Sequence, residues 1–184
     1  YQYDWSSDVC SSDLISGGRI AILTPAAIRG RDTIDAKGLV VAPGFIDLHS
    51  HAQTAEGYRA QALDGVTTSL ELELGTADVD KWYAERRPSQ LINYGVSAGH
   101  IKARTVVMHD TGAFTPVGPG ARTPASATEV SDMMGLIDAG LRAGAVAVGA
   151  GFTYTPGATH DELLELFKVA ARWKTTVHVH IRSG

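Results

Sequence analysis

Residues 44–51 read GFIDLHSH and residues 175–182 read TTVHVHIR, and these two short stretches decide the fold. Each is an apolar β run that ends in two histidines two positions apart, His49 and His51 in the first, His178 and His180 in the second. Successive side chains of a strand point to opposite faces, so each pair shares one face near the strand's C-terminal end. Between them β-rich and helical stretches alternate: TAEGYRAQALDG (54–65), VTTSLELEL (66–74), TADVDKWYAERR (76–87), QLINYGVSAGH (90–100), a helix expected over residues 127–144, AVAVGAGF (145–152) and THDELLELFKVAARW (159–173). Five strands alternating with helices imply parallel βαβ units in an α/β fold. A complete TIM (β/α)8 barrel takes about 250 residues, and five strands within residues 44–184 are what its first five-eighths contain. The alternative is an open, doubly wound sheet complete in itself. Polar residues at the strand ends favour the partial barrel, which gathers its strand C-termini around one axis and lets the first and fifth strands meet there.

Working outward, residues 18–43 hold two β-rich runs, 19–23 and 39–41, with Gly30 and Gly38 as turn residues, and residues 15–43 are expected to form a small β unit. Residues 1–14, YQYDWSSDVCSSDL, have neither periodicity nor the basic and apolar regions of an export signal. Residues 4–14 read back into the constant adapter of short-read sequencing libraries, so this segment is expected to be a translated artefact outside the fold, with a disordered tail as the alternative. Leaving it out removes Cys10, the single cysteine, and three aspartates, so the 20 acidic residues fall to 17 against 16 basic ones. The 184 residues, 44% hydrophobic and 20% charged, read as a globular protein with no basic block for nucleic acid or an anionic membrane surface. No apolar run is long enough to span a bilayer. With no export signal visible, a cytoplasmic location is expected; oligomerisation is left open.

The candidate chemistry sits at the strand ends. His49 and His51 offer two converging nitrogens for a divalent metal, with Asp47 one step deeper on the same face. A bare HxH is more often a pair of surface histidines, and the second HxH strand is what reverses that estimate. His180 lies nearer the strand's C-terminal end, whereas His178 is expected to be a core histidine. Glu71 and Glu73 share one face of the second strand and need a counter-charge or a metal if they point into the barrel. Glu73 is expected to face the metal, as a carboxylate bridging two ions, and Glu71 is left undecided. His100, placed at the end of the third strand, with Lys102 and Arg104 just beyond, suits a substrate carboxylate, and solvated loop charge is an equal alternative. Ser126 with Glu129, and Thr159 with Glu162, read as capping boxes, and His109 and His160 read as surface residues.

DAKGLVVAPGFIDLHSH (35–51) resembles the opening of the amidohydrolase superfamily. DGVTT (64–68), NYGVSAGHIKAR (93–104), GFTYTPGATHDEL (151–163) and VHVHIRSG (177–184) resemble, in order, its N-acyl-D-amino-acid deacylase (D-aminoacylase) branch. The resemblance implies a metal-dependent hydrolase in which one or two zinc ions activate a water for attack on a linear amide, in a TIM barrel flanked by a small β-sandwich. It implies His49, His51 and His180 as metal ligands, with Glu73 where the branch often has a cysteine. Arg182, with His100 and Arg104, would lie near the substrate carboxylate. Hydantoinase-like and dihydroorotase-like cyclic amidohydrolases use a fourth-strand lysine, which AVAVGAGF lacks. A sixth-strand histidine and an eighth-strand aspartate, the general base, are expected beyond Gly184, so residues 1–184 would be an N-terminal part without activity of its own. A non-catalytic scaffold that kept the fold is the rival from another class.

Overall fold

The computed structural model describes residues 12–182. The chain divides after Pro43 into two compact units. In the first, β1 (Ser12–Ser16) pairs antiparallel with β2 (Arg19–Thr24). The turn between them is Gly17 and Gly18, both at positive φ (59° and 72°), the backbone twist that a two-residue hairpin favours. The pairing starts at Ser12, so the boundary expected at residue 14 falls inside a strand; residues 1–11 lie outside those described. Residues 39–41 form no strand, and Leu39, Val40 and Val41 are exposed. β propensity there finds no neighbouring strand to pair with, and an unpaired strand has no ladder to hold it.

The second unit carries a five-stranded parallel sheet in the order β3 (Phe45–Asp47), β4 (Val66–Thr76), β5 (Asn93–Gly99), β6 (Val148–Gly151) and β7 (Val177–His180). The strands are adjacent in chain order with no reversal, which removes the open doubly wound alternative, since that fold requires a switch point. The sheet curls as part of a TIM barrel. Helices α1 (Ala55–Leu63), α2 (Val79–Arg86), α3 (His100–Val107), α4 (Pro119–Arg122), α5 (Ala127–Arg142) and α6 (His160–Trp173) occur within the connections. Thr54, Asp78, Ser126 and Thr159 cap α1, α2, α5 and α6 through their side-chain oxygens. Met133, Met134, Ile137 and Leu141 of α5 and Leu166, Val169 and Ala170 of α6 pack on Ala98, Val148 and Ala150. A smaller cluster joins Val79 and Trp82 to Val96. Among the described residues no helix is long and apolar enough to cross a membrane.

Two local departures position the site. His100 opens α3 instead of ending a strand, because the chain leaves the sheet at Gly99 and turns at once into the helix. Between β4 and β5 the register jumps from Glu71 opposite Val96 to Thr76 opposite Ala98, so β4 carries three extra residues. The excess closes at Gly75, φ 62°, where a Cβ would lie 2.5 Å from the Ser97 hydroxyl oxygen and 2.7 Å from the Gly99 Cα. Only glycine combines that backbone with that approach.

Candidate metal centre

The strand ends of β3, β4 and β7 meet at Glu73. Its carboxylate is buried, with Oε2 2.8 Å from His49 Nε2 and 3.8 Å from His51 Nε2, while Oε1 lies 2.8 Å from His180 Nδ1. The His49 and His51 Nε2 atoms are 3.2 Å apart. His49, His51 and Glu73 each offer one ligand atom, and these atoms lie within 4.8 Å of one another. Glu71 takes a different part: its Oε2 is 2.5 Å from His51 Nδ1, and its Oε1 accepts from the Leu74 amide at 3.2 Å. With Nδ1–H donated to Glu71, the His51 Nε2 lone pair points toward His49 and Glu73. Asp47 Oδ1 accepts from the His49 amide and fixes the chain as it leaves β3. The donors suit a divalent transition metal: imidazole nitrogens converging on one buried carboxylate.

An open cleft of about 380 Å³ lies over this cluster, lined by His49, Glu73, His178 and His180 with Leu48, Leu72, Val179 and Ile181. His178, expected in the core, is half-buried, lines the cleft and lies 3.0 Å from the Thr176 hydroxyl. Tyr154, after β6, brings its hydroxyl to 3.3 Å from His180 Nδ1. A wider cleft of about 520 Å³ at the N-terminal ends of β4 and β5 is bounded by Thr67, Asn93 and Tyr94. Barrel chemistry resides at the C-terminal ends, so the cleft at Glu73 is the functional candidate.

The expected cationic mouth is not what His100 and Arg104 form. Both are fully buried against Glu162 of α6. His100 Nε2 lies 2.7 Å from Glu162 Oε1, and the Arg104 guanidinium donates to both Glu162 oxygens and to the carbonyls of Gly120 and Thr123. Burial alone would raise the Glu162 carboxyl; hydrogen bonds from His100 and Arg104 outweigh it and hold the group below the usual carboxylate range. Glu162 therefore completes no capping box: Thr159 caps its amide, but its side chain is drawn inward. Ser126 and Glu129 do form the full box. Arg182 is exposed and donates to the Ala158 carbonyl at 3.2 Å. His109 and His160 are exposed, as expected.

Residues 32–95 match the model of the amidohydrolase family. That segment is similar to the amidohydrolase family over about a third of the chain. Allantoinase of Salmonella choleraesuis (strain SC-B67) is 36% identical over 78 residues, covering 36% of this chain and 17% of that enzyme. Allantoinase of Escherichia coli (strain K12 / DH10B) is 37% identical over a stretch of the same length. Among solved structures, a D-aminoacylase described as defining a novel subset of amidohydrolases superposes with a TM-score of 0.72 at 25% identity, over 90% of this chain and 40% of that one. A second D-aminoacylase structure, described for its binuclear metal center, gives 0.60 at 22% identity and bears on the fold alone. The chain thus spans well under half the length of the relatives it matches. The matched residues 32–95 include His49, His51, Glu71 and Glu73, and His180 lies outside them.

Sequence reasoning did not single out Phe114 or Tyr154. Phe114 sits in the Gly- and Pro-rich stretch before α5, with its ring edge-on to His51 at 5.6 Å between centroids. Such a loop has no periodicity to reveal which side chain turns inward.

Proposed function

We propose that the protein hydrolyses the C–N bond of an amide with one or two zinc ions held by His49, His51, Glu73 and His180. The observation that carries this reading is Glu73, whose two oxygens face different imidazoles, Oε2 toward His49 and Oε1 toward His180. One carboxylate placed between two nitrogen-bearing strand ends is suited to bridging a pair of ions. A metal held there supplies Lewis acidity toward the amide carbonyl and lowers the pKa of water. The chain's own part is to hold that geometry: Glu71 orients the His51 ring, Asp47 fixes the His49 backbone, and Tyr154 contacts the His180 ring.

Among amides, a linear N-acyl-D-amino acid is favoured, because the likeness to D-aminoacylase extends over 90% of the chain, while the matches to allantoinase cover 36% of it. Those matches keep a cyclic amide as the second reading. Arg182 would meet the substrate carboxylate; what supports this is that it is exposed beyond β7, with one donor engaged by the Ala158 carbonyl. The test is metal content by elemental analysis and amide hydrolysis, on protein expressed from its full gene. Replacing His49 and His51 together by Ala should abolish both. Unchanged metal content in that variant would sink the assignment. Hydrolysis of allantoin without hydrolysis of N-acetyl-D-amino acids would move the proposal to the cyclic class.

A further inference from the structure

The stretch between α3 and α5 is long for a connection, yet it is tied down at two points. At its base Asp110 accepts from four backbone amides, those of Gly112, Val117, Gly118 and Gly120, at 2.8–3.0 Å. At its tip Lys102 of α3 reaches the carbonyls of Ala113 at 2.9 Å and Phe114 at 2.8 Å, with its ammonium 5.7 Å from the centre of the Phe114 ring. The ring so held meets His51 edge-on, yet is 57% exposed. A large apolar ring left half in water beside a donor cluster, and fixed there by two separate ties, gains by covering something apolar. We propose that Phe114 is a wall of the substrate pocket beside His51, selecting amides with an apolar side chain, and that Lys102 is the positioning residue that holds it there. This rests on the amide-hydrolase reading above. Partial burial lowers the Lys102 pKa, with Glu71 acting in the opposite direction, as suits an ammonium engaged by backbone instead of solvent.

The experiment compares N-acetyl-D-leucine with its near-isostere N-acetyl-D-asparagine on the protein expressed from its full gene. The wild type should prefer leucine. Phe114→Ala should lower kcat/KM for leucine about 10-fold, mostly through KM, and leave asparagine within about 2-fold. Lys102→Met should reproduce that selective loss, and Lys102→Arg, which keeps donors for the two carbonyls, should restore most of it. Equal losses on both amides, or no effect of Lys102→Met, would overturn the proposal. A second readout needs no turnover: ring-current shifts on the His51 ring protons by NMR should move in Phe114→Ala and Lys102→Met and stay in Lys102→Arg. If the wild type hydrolyses neither amide, the linear-amide reading and the selectivity fail together. Moved His51 resonances would then still uphold Lys102 as the residue that positions Phe114, and unmoved ones would overturn that as well.

Discussion

Glu71 and Glu73 are two positions apart and both buried, yet their surroundings give them different work. Glu73 stands among His49, His51 and His180, with no ion pair to Lys or Arg among the described residues, so Glu73→Ala should remove the metal, read as lost stoichiometry in elemental analysis. Glu71 touches His51 through Nδ1 and should act at one remove. Glu71→Gln is expected to weaken metal affinity about 10- to 100-fold without abolishing it, measured by competition with a chelator of known affinity. Equal loss in both variants would count against the separate roles. Of these residues, His49, His51 and His180 were legible from the paired HxH stretches and the family resemblance, whereas strand parity put Glu71 and Glu73 on one face and did not separate their parts. Glu162 was not legible: its spacing from Thr159 is that of a capping box, and its actual partners, His100 and Arg104, are 62 and 58 residues away in sequence. Local pattern carries no information about which of two competing hydrogen bonds a buried carboxylate will choose.

Among elements, β4, the α3–α6 contact and the Asp110 loop each depend on one arrangement. In β4 the three-residue excess begins after Glu71, contains Glu73 and closes at Gly75. Gly75→Ala should destabilise the fold by about 1–3 kcal/mol and lower metal occupancy with it, checked by thermal melts and elemental analysis of the same samples. Between α3 and α6, Glu162→Ala leaves the Arg104 charge buried without its partner, and about 3–5 kcal/mol of stability should be lost in urea denaturation. The pH dependence of the loop follows from Asp110, whose carboxyl is lowered to about 2, first by the Val117 amide and further by those of Gly112, Gly118 and Gly120. A depressed carboxyl stabilises the folded form above its unfolded pKa, here 3.8, and that contribution disappears as pH falls through about 2. The amides of Gly112, Val117, Gly118 and Gly120 should therefore stay protected from hydrogen exchange at pH 4 and lose protection near pH 2, while Asp110→Ala should lack that protection at both. Helices α5 and α6 were readable from periodicity and caps, whereas residues 39–41 and His100 were not. Whether a β-prone run pairs, and whether a strand passes directly into a helix, depend on neighbours that a local window does not contain.

Over the whole molecule, the order and number of parallel strands were legible from alternation alone, since consecutive βαβ units place each strand beside the last. What alternation does not say is whether five strands suffice. β3 and β7 are the two edges of the sheet, with backbone groups open to pairing along each. Apolar side chains stand exposed at both, Phe45 and Ile46 on β3 and Ile181 just past β7. In a closed barrel those edges would be joined through further strands, which would also complete the wall around Glu73. Residues 44–184 expressed alone should accordingly self-associate or melt without a cooperative transition, as read by sedimentation and near-UV circular dichroism. The protein expressed from its full gene should be monodisperse and melt cooperatively. A monomeric, cooperative unit from residues 44–184 would instead mean that the five sequential strands satisfy themselves as a curled sheet without closing into a barrel.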